Sequence, residues 1–252
     1  MIVAATTNCF SKMPTPQALE RIADLEYSHV ELMFCESNDY LKPSVVVDQL
    51  RDTAHTLRNM YRLSPVAFGV DIDEENTEEY VRQFVACVKL ARVMQVVTLS
   101  VRPAPGGFPF NSEVERLRIC VAEAAKRGIE VGITTERGRL TEDIASVKSL
   151  CRLVPGLRVT LDPSHFIYKG NEQMLLQMES LFDLTLHVRL RDSKKGRLQV
   201  CIGQGDLEFG HLVGKLENKG YRGALSVDII PSDDLDVAQE LRKMRLFLES
   251  LL

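Results

Sequence analysis

The chain has 252 residues, 45% hydrophobic and 26% charged, with a formal net charge of −4. A chain of this size can bury one substantial core, and it lacks the basic field that draws proteins to nucleic acid or to anionic membranes, so neither partner is expected. The six cysteines (Cys9, Cys35, Cys87, Cys120, Cys151, Cys201) form no CxxC pair, which points to reduced, buried thiols and not to a disulfide framework or a zinc site.

Strand-like and helix-like stretches alternate from the first residue. Ile2–Thr6 is a short apolar run with no basic segment before it. It reads as a first strand and not as a signal peptide. No apolar stretch approaches the roughly 18 residues that span a bilayer, so the expected location is cytoplasmic. Pro14–Leu25 follows as a helix. A second strand, His29–Leu32, carries Glu31 near its end, and Glu36, Asn38 and Asp39 form a polar loop after it. Pro43–Tyr61 keeps Val46, Val47, Leu50 and Leu57 near one helical face. Val66–Ile72 is the third strand, and Glu75–Val93 is a helix with an acidic start and an apolar stripe. Val96–Val101 ends in Arg102. The following Phe108-Pro-Phe110 reads either as a lid over the strand ends or as a loop packed on its own barrel or on a partner subunit.

Ser112–Lys126 is a helix that stops before Gly128, and Ile129–Thr135 is a strand followed by Glu136, Arg137 and Arg139. Thr141–Cys151 opens Thr-Glu-Asp, a capped and acidic helix start. Leu157–Leu161 runs into Asp162-Pro-Ser-His165, and Asn171–Ser180 is a short amphipathic segment. Leu184–Leu190 contains His187 and Arg189 and leads into Arg191 and Asp192. Phe209–Asn218 is a helix, Ala224–Ile230 a strand bearing Asp228, and Asp233–Leu252 closes the chain. Eight βα repeats without a linker or a composition shift predict a single α/β domain over residues 1–252, folded as a (β/α)8 barrel.

In such a barrel, reacting groups sit where strands end, while the rest of each strand is packing. Strands that finish in Asp, His and Arg therefore mark a site. Basic residues gather at the same ends: Arg102, Arg137, Arg139, Arg189, Arg191 and Lys194. They suit an anionic ligand or, alternatively, pairs with nearby loop acids. Gly203-Gln-Gly205 is either a phosphate-binding loop or a plain turn, and Gln204 could bond hydroxyls in both cases. Glu31 is a pocket-wall residue or a buried partner of an arginine. His165 is an acid–base group or a hydrogen-bonded support. His29, His55 and His211 read as structural.

Several segments, in order, resemble the xylose isomerase-like barrels: the sugar (phosphate) isomerases and epimerases and, more distantly, the apurinic endonucleases. The pieces are Val30-Glu-Leu32, Lys126-Arg-Gly-Ile-Glu-Val-Gly-Ile133, Leu161-Asp-Pro-Ser-His165, His187-Val-Arg-Leu-Arg-Asp192, Gly203-Gln-Gly-Asp-Leu-Glu-Phe209 and Gly220-Tyr-Arg-Gly-Ala-Leu-Ser-Val-Asp228. The resemblance implies a TIM barrel that binds one divalent metal through acids ending strands five, six and eight and a histidine in strand seven. Asp162 and Asp228 match that pattern. The other two positions hold Thr134 and Arg189, and an arginine cannot ligate a metal.

Two accounts remain open at this point. In one, Glu136 joins Asp162 and Asp228 around Mn²⁺ or Mg²⁺. In the other, Arg189 replaces the ion and neutralises the two acids. By resemblance the chain is a sugar (phosphate) isomerase or epimerase, acting on a small polyhydroxylated, anionic carbonyl compound by proton transfer between adjacent carbons. Asp228 with Glu136 or Asp162 would move the proton, and Arg189 would stabilise an enediolate. Glu31, Arg102, His165, His187, Arg191 and Gln204 would contact the substrate. The alternative is a non-catalytic barrel that binds an anionic sugar. Endonuclease action runs against the few histidines near the strand ends, and a homo-oligomer is compatible with the sequence.

Overall fold

The computed structural model describes residues 1–38, 41–58, 62–170 and 176–252. Its strands are β1 (Ile2–Thr6), β2 (His29–Phe34), β3 (Ser64–Val70), β4 (Thr98–Val101), β5 (Glu130–Thr134), β6 (Leu157–Leu161), β7 (Thr185–Leu190) and β8 (Ala224–Val227). All pair in parallel and close into one barrel in sequence order, β8 returning to β1. Strands covered on both faces need near-continuous apolar runs. β7 departs from this: all six positions are buried, but Leu186, Val188 and Leu190 alternate with the polar Thr185, His187 and Arg189.

The α-helices among the described residues are α1 (Thr15–Asp24), α2 (Pro43–Arg58), α3 (Thr77–Val93), α4 (Phe110–Ala125), α5 (Ile144–Leu153), α6 (Ser164–Lys169), α7 (Phe209–Asn218) and α8 (Val237–Glu249). Capping explains several starts. Asn76 accepts from the N–H groups of Glu78 and Glu79 at 2.9 and 3.1 Å, Asp143 from Ser146 and Asp236 from Gln239. The main core lies between the strands and this outer layer, with Phe34, Phe68, Phe84, Leu90, Leu117 and Leu150 fully buried in it.

The eight expected strands are all present, β1 and β6 with the expected ends and the other six with shifted ones. β3 stops at Val70, which leaves Asp71 at the barrel mouth, and β8 stops at Val227, just before Asp228. α6 was not expected. Pro163 precedes it and Gly170 ends it in the left-handed conformation, φ 61°. The expected helix Asn171–Ser180 lies in part outside the described residues, as do Asp39 and Tyr61, and its end runs into a 3-10 turn at Glu179–Leu184. Phe110 starts α4, and Phe108 lies 5.3 Å from the Arg116 guanidinium, packed on its own barrel.

The barrel interior is unusually polar toward its carboxyl end. Glu31, Ser100, Thr134, Thr160, His187, Arg189 and Ser226 are all buried, and the Ser100 and Thr160 hydroxyls bond at 2.7 Å. Space there is tight. A Cβ on Gly69 of β3 would lie 2.3 Å from Met33 Sδ and 2.5 Å from Arg189 Nη2. Glycine at this point therefore makes room for the arginine. Gly69→Ala is expected to destabilise the fold by about 1–3 kcal/mol through overpacking, measured as a lowered urea midpoint. An unchanged midpoint would show that Arg189 does not need that space.

Candidate functional site at the carboxyl-end mouth

Side chains alternate along a strand, so His187, Arg189 and Arg191 point the same way at successive depths. At the inner level, Glu31 of β2 faces β7 across the barrel. It accepts from His187 Nε2 at 2.9 Å and from Arg189 Nε and Nη2 at 3.0 and 2.6 Å. Burial alone would raise the Glu31 pKa, but the Arg189 guanidinium and His187 outweigh it and hold the carboxyl well below the usual range.

At the outer level, Arg191 follows the end of β7. Its Nη2 donates to Asp162 Oδ2 at 2.8 Å and to Asp228 Oδ2 at 2.7 Å, one nitrogen between two carboxylates. Their other oxygens are also held. Asp162 Oδ1 accepts from Ser164 N at 3.0 Å and Ser164 Oγ at 2.5 Å, and Asp228 Oδ1 from Thr6 Oγ1 at 2.6 Å and Asn8 Nδ2 at 3.3 Å. Burial pushes the Asp162 pKa up, but Arg191, His165 and Ser164 together bring it below its ordinary value.

The rim carries a third ionic group. Arg102, after β4, grips Glu136 through Nε and Nη2 at 3.0 and 2.6 Å and reaches Asp71 with Nη1 at 2.9 Å. Thr141 fixes this turn, accepting from Glu136 N and donating to Thr134 O at 2.7 Å. His165 Nδ1 accepts from Arg137 N at 3.2 Å, so the proton of the neutral ring sits on Nε2, 3.5 Å from Asp162 Oδ2.

These groups enclose a cavity of about 450 Å³, ample for a small molecule. Asp162, Asp228, Glu136, Arg189, Arg102, His165 and Arg191 all line it. A neighbouring hollow of about 730 Å³ shares Arg102 and Asp71 with it but contains none of the acids after β6 and β8. We place the site in the smaller cavity for that chemical reason. Glu31 and His187 do not border the cavity; they support Arg189 from inside the barrel.

Gln204 is also outside the cavity, on an exposed loop. The loop is organised by an internal anion: Asp192 Oδ2 accepts from Gly203 N and Gly205 N at 2.7 and 3.1 Å. A Cβ on Gly205 would fall 1.9 Å from Asp192 Oδ1, which explains that glycine. The backbone donors that a phosphate would use are thus engaged by this carboxylate. Thr6, Asn8 and Asp71 were missed by sequence reasoning. Asn8 and Asp71 each lie just past a strand end, a signal hidden for Asp71 by the expectation that β3 ran to Ile72.

One sequence expectation is corrected. The guanidinium between Asp162 and Asp228 belongs to Arg191, while Arg189 turns inward to Glu31. The same geometry bears on the proposed metal ligands Asp162, Asp228 and Glu136. Positive charge already sits between the first two, Glu136 is held by Arg102, and among the described residues no group of three or more His, Cys, Asp or Glu side chains is arranged to hold an ion. The donor set does not fit a divalent cation.

Eight parallel strands with ionisable groups at their carboxyl ends define a (β/α)8 barrel with a mouth site. The chain belongs to the xylose isomerase-like TIM barrel family, whose model matches residues 19–251. Comparison with curated proteins gives no match. Among solved structures, a xylose isomerase domain protein from Alicyclobacillus acidocaldarius is similar at a TM-score of 0.77 and 16% identity, covering 100% of this chain and 98% of that one. The 3-keto-D-glucoside 4-epimerase YcjR from E. coli gives 0.75 and 16%, covering 99% of both chains. An IolI protein with a bound zinc atom gives 0.76 and 15%, covering 100% and 98%. At these identities the likeness establishes the fold. Among the described residues, no helix is long and apolar enough to cross a membrane.

Removing one member of a buried ion pair strands the other. Glu31→Gln should therefore cost about 3–5 kcal/mol in urea denaturation, because Arg189 loses its counter-charge. Acid should act in the same direction. Glu31 and Asp162 have folded pKa values below their ordinary values of about 4.3 and 3.9, so their stabilisation is complete above that range and drains away as pH falls through the folded values. The wild-type midpoint should drop below about pH 4, with a shallower acid limb in Glu31→Gln. Equal limbs would remove Glu31 from this account.

Proposed function

We propose that the barrel acts on a small, polyhydroxylated carbonyl compound as an isomerase or epimerase, with Arg191 as the cation of the site. The observation that carries this reading is the single Arg191 nitrogen shared by Asp162 and Asp228 at the mouth. A guanidinium there can donate to a carbonyl oxygen as negative charge develops on it. Asp228, or Asp162 or Glu136 beside it, would take the proton from the carbon next to the carbonyl. The electron pair passes to oxygen as an enediolate, and the proton returns to the neighbouring carbon, or one from the opposite acid returns to the same carbon. Thr134 and Arg191 line the cavity, and Thr134 Oγ1 and Arg191 Nε are buried behind it without a protein partner.

Charge favours an uncharged substrate over the anionic one first expected. Arg102, Arg189 and Arg191 are all engaged, against Glu31, Asp71, Glu136, Asp162 and Asp228. The donors of the Gly203–Gly205 loop are likewise taken. A free sugar or polyol with a carbonyl group suits this lining better than a sugar phosphate.

A second reading, ligand binding without turnover, is favoured by one observation: the carboxyl of Asp162 is held below its ordinary pKa, which weakens it as a base. One experiment separates the two. Uncharged ketoses and aldoses are screened by thermal shift, and those that bind are incubated in D₂O and followed by NMR. Deuterium entering beside the carbonyl, at a rate cut about a hundredfold or more in Asp228→Asn, supports the enzyme. Stabilisation without exchange supports the binding barrel, and preference for the phosphorylated sugars would overturn the uncharged substrate.

A further inference from the structure

We infer that Arg191 is a built-in replacement for a divalent ion, so that the site is metal-independent and this one side chain is what excludes metal. Three features meet at the same point. Asp162 and Asp228 converge on Arg191 Nη2 at 2.8 and 2.7 Å, so the place where an ion would be shared is taken by a nitrogen that is always protonated. The guanidinium is locked: Arg191 is buried, and both carboxylates are braced on their far oxygens by Thr6, Asn8 and Ser164. Thr134, which lines the same cavity, has its Oγ1 buried without a partner. It fills a strand-end position with a neutral hydroxyl, so no further acid is left there needing a cation.

The ion pairs offset most of the negative charge without an ion, and the formal charge left on Asp162 and Asp228 is held by donors from Thr6, Asn8 and Ser164. Two carboxylates face Arg191, while Glu31 takes up Arg189 one level below. Adding a divalent cation would force it against a fixed positive charge a few ångströms away, and burial makes that repulsion strong. Removing the guanidinium reverses the situation. Asp162 and Asp228 would then repel each other across an open space, and a cation would relieve them.

The test uses the metal alone, so its outcome is independent of whether a sugar is turned over. Wild-type protein stripped with chelator is titrated with Mn²⁺, with the free ion followed by electron paramagnetic resonance, alongside Arg191→His and Arg191→Lys. Wild type and Arg191→Lys should show no saturable site. Arg191→His, which trades the fixed cation for a potential ligand, should bind Mn²⁺ one to one, at least about tenfold more tightly than any residual wild-type binding. That gain should vanish when Asp162→Asn is added. A saturable site in wild type that is lost in Asp162→Asn would overturn the inference, as would an Arg191→His protein that is folded and no better than wild type. If Arg191→His does not fold, the wild-type titration alone decides, since a saturable site there refutes the proposal and its absence supports it.

Discussion

A charged side chain taken out of water must find its counter-charge inside the protein. In this barrel that requirement is met twice along β7, at two depths. Arg189 is paired with Glu31 below, and Arg191 with Asp162 and Asp228 above. Much of the neighbouring detail follows from those pairs. Gly69 leaves space for one guanidinium, Ser164 and Thr6 hold the acids that flank the other, and His187 completes the shell around Glu31. The mouth of the barrel is therefore an ionic lattice, and its shape does not depend on a ligand arriving to neutralise it.

The barrel was legible in the sequence because each strand is an apolar run bounded by turn residues and each intervening segment has helical periodicity. The principal site acids were legible for a related reason: Asp162 and Asp228 interrupt hydrophobic strands at their ends. What the sequence did not reveal was depth. His187, Arg189 and Arg191 share one face, and a rise of about 3.3 Å per residue separates their levels along the barrel axis. Which level matches Glu31 depends on the stagger of β2 against β7 across the barrel, which no local pattern encodes. The guanidinium between the acids therefore came from two residues further along the chain than the family resemblance implied. The Gly203–Gly205 loop escaped for a similar reason, since its organising carboxylate, Asp192, lies eleven and thirteen residues away from the donors it binds.

The same pairing shapes what the site can recognise. An arginine that is already engaged by a carboxylate attracts a further anion weakly, because the incoming charge meets the acid as well as the base. Hydroxyl and carbonyl groups face no such conflict. They can add hydrogen bonds at unused positions on the guanidinium and on the carboxylates while leaving the ionic pairs intact. The lining of acids, arginines, Ser100, Thr134 and Asn8 offers donors and acceptors in quantity, with Met33, Val70, Leu198 and Ile230 as apolar surface. On the proposed reading, that mixture suits a polyol better than a phosphate ester.

An arginine differs from a metal ion in ways that reach the folding of the whole domain. An ion arrives after folding, can be removed by a chelator, and tolerates some adjustment of its ligands. A guanidinium is covalently part of β7's extension, directional in its donors and charged at every pH the protein meets. Its burial is favourable only beside both acids, so the contacts that join the ends of β6, β7 and β8 at the mouth are also those that build the site. Here site and fold are coupled: a substitution at Asp162, Asp228 or Arg191 alters the site and, to the extent that it leaves a buried charge unpaired, lowers stability as well.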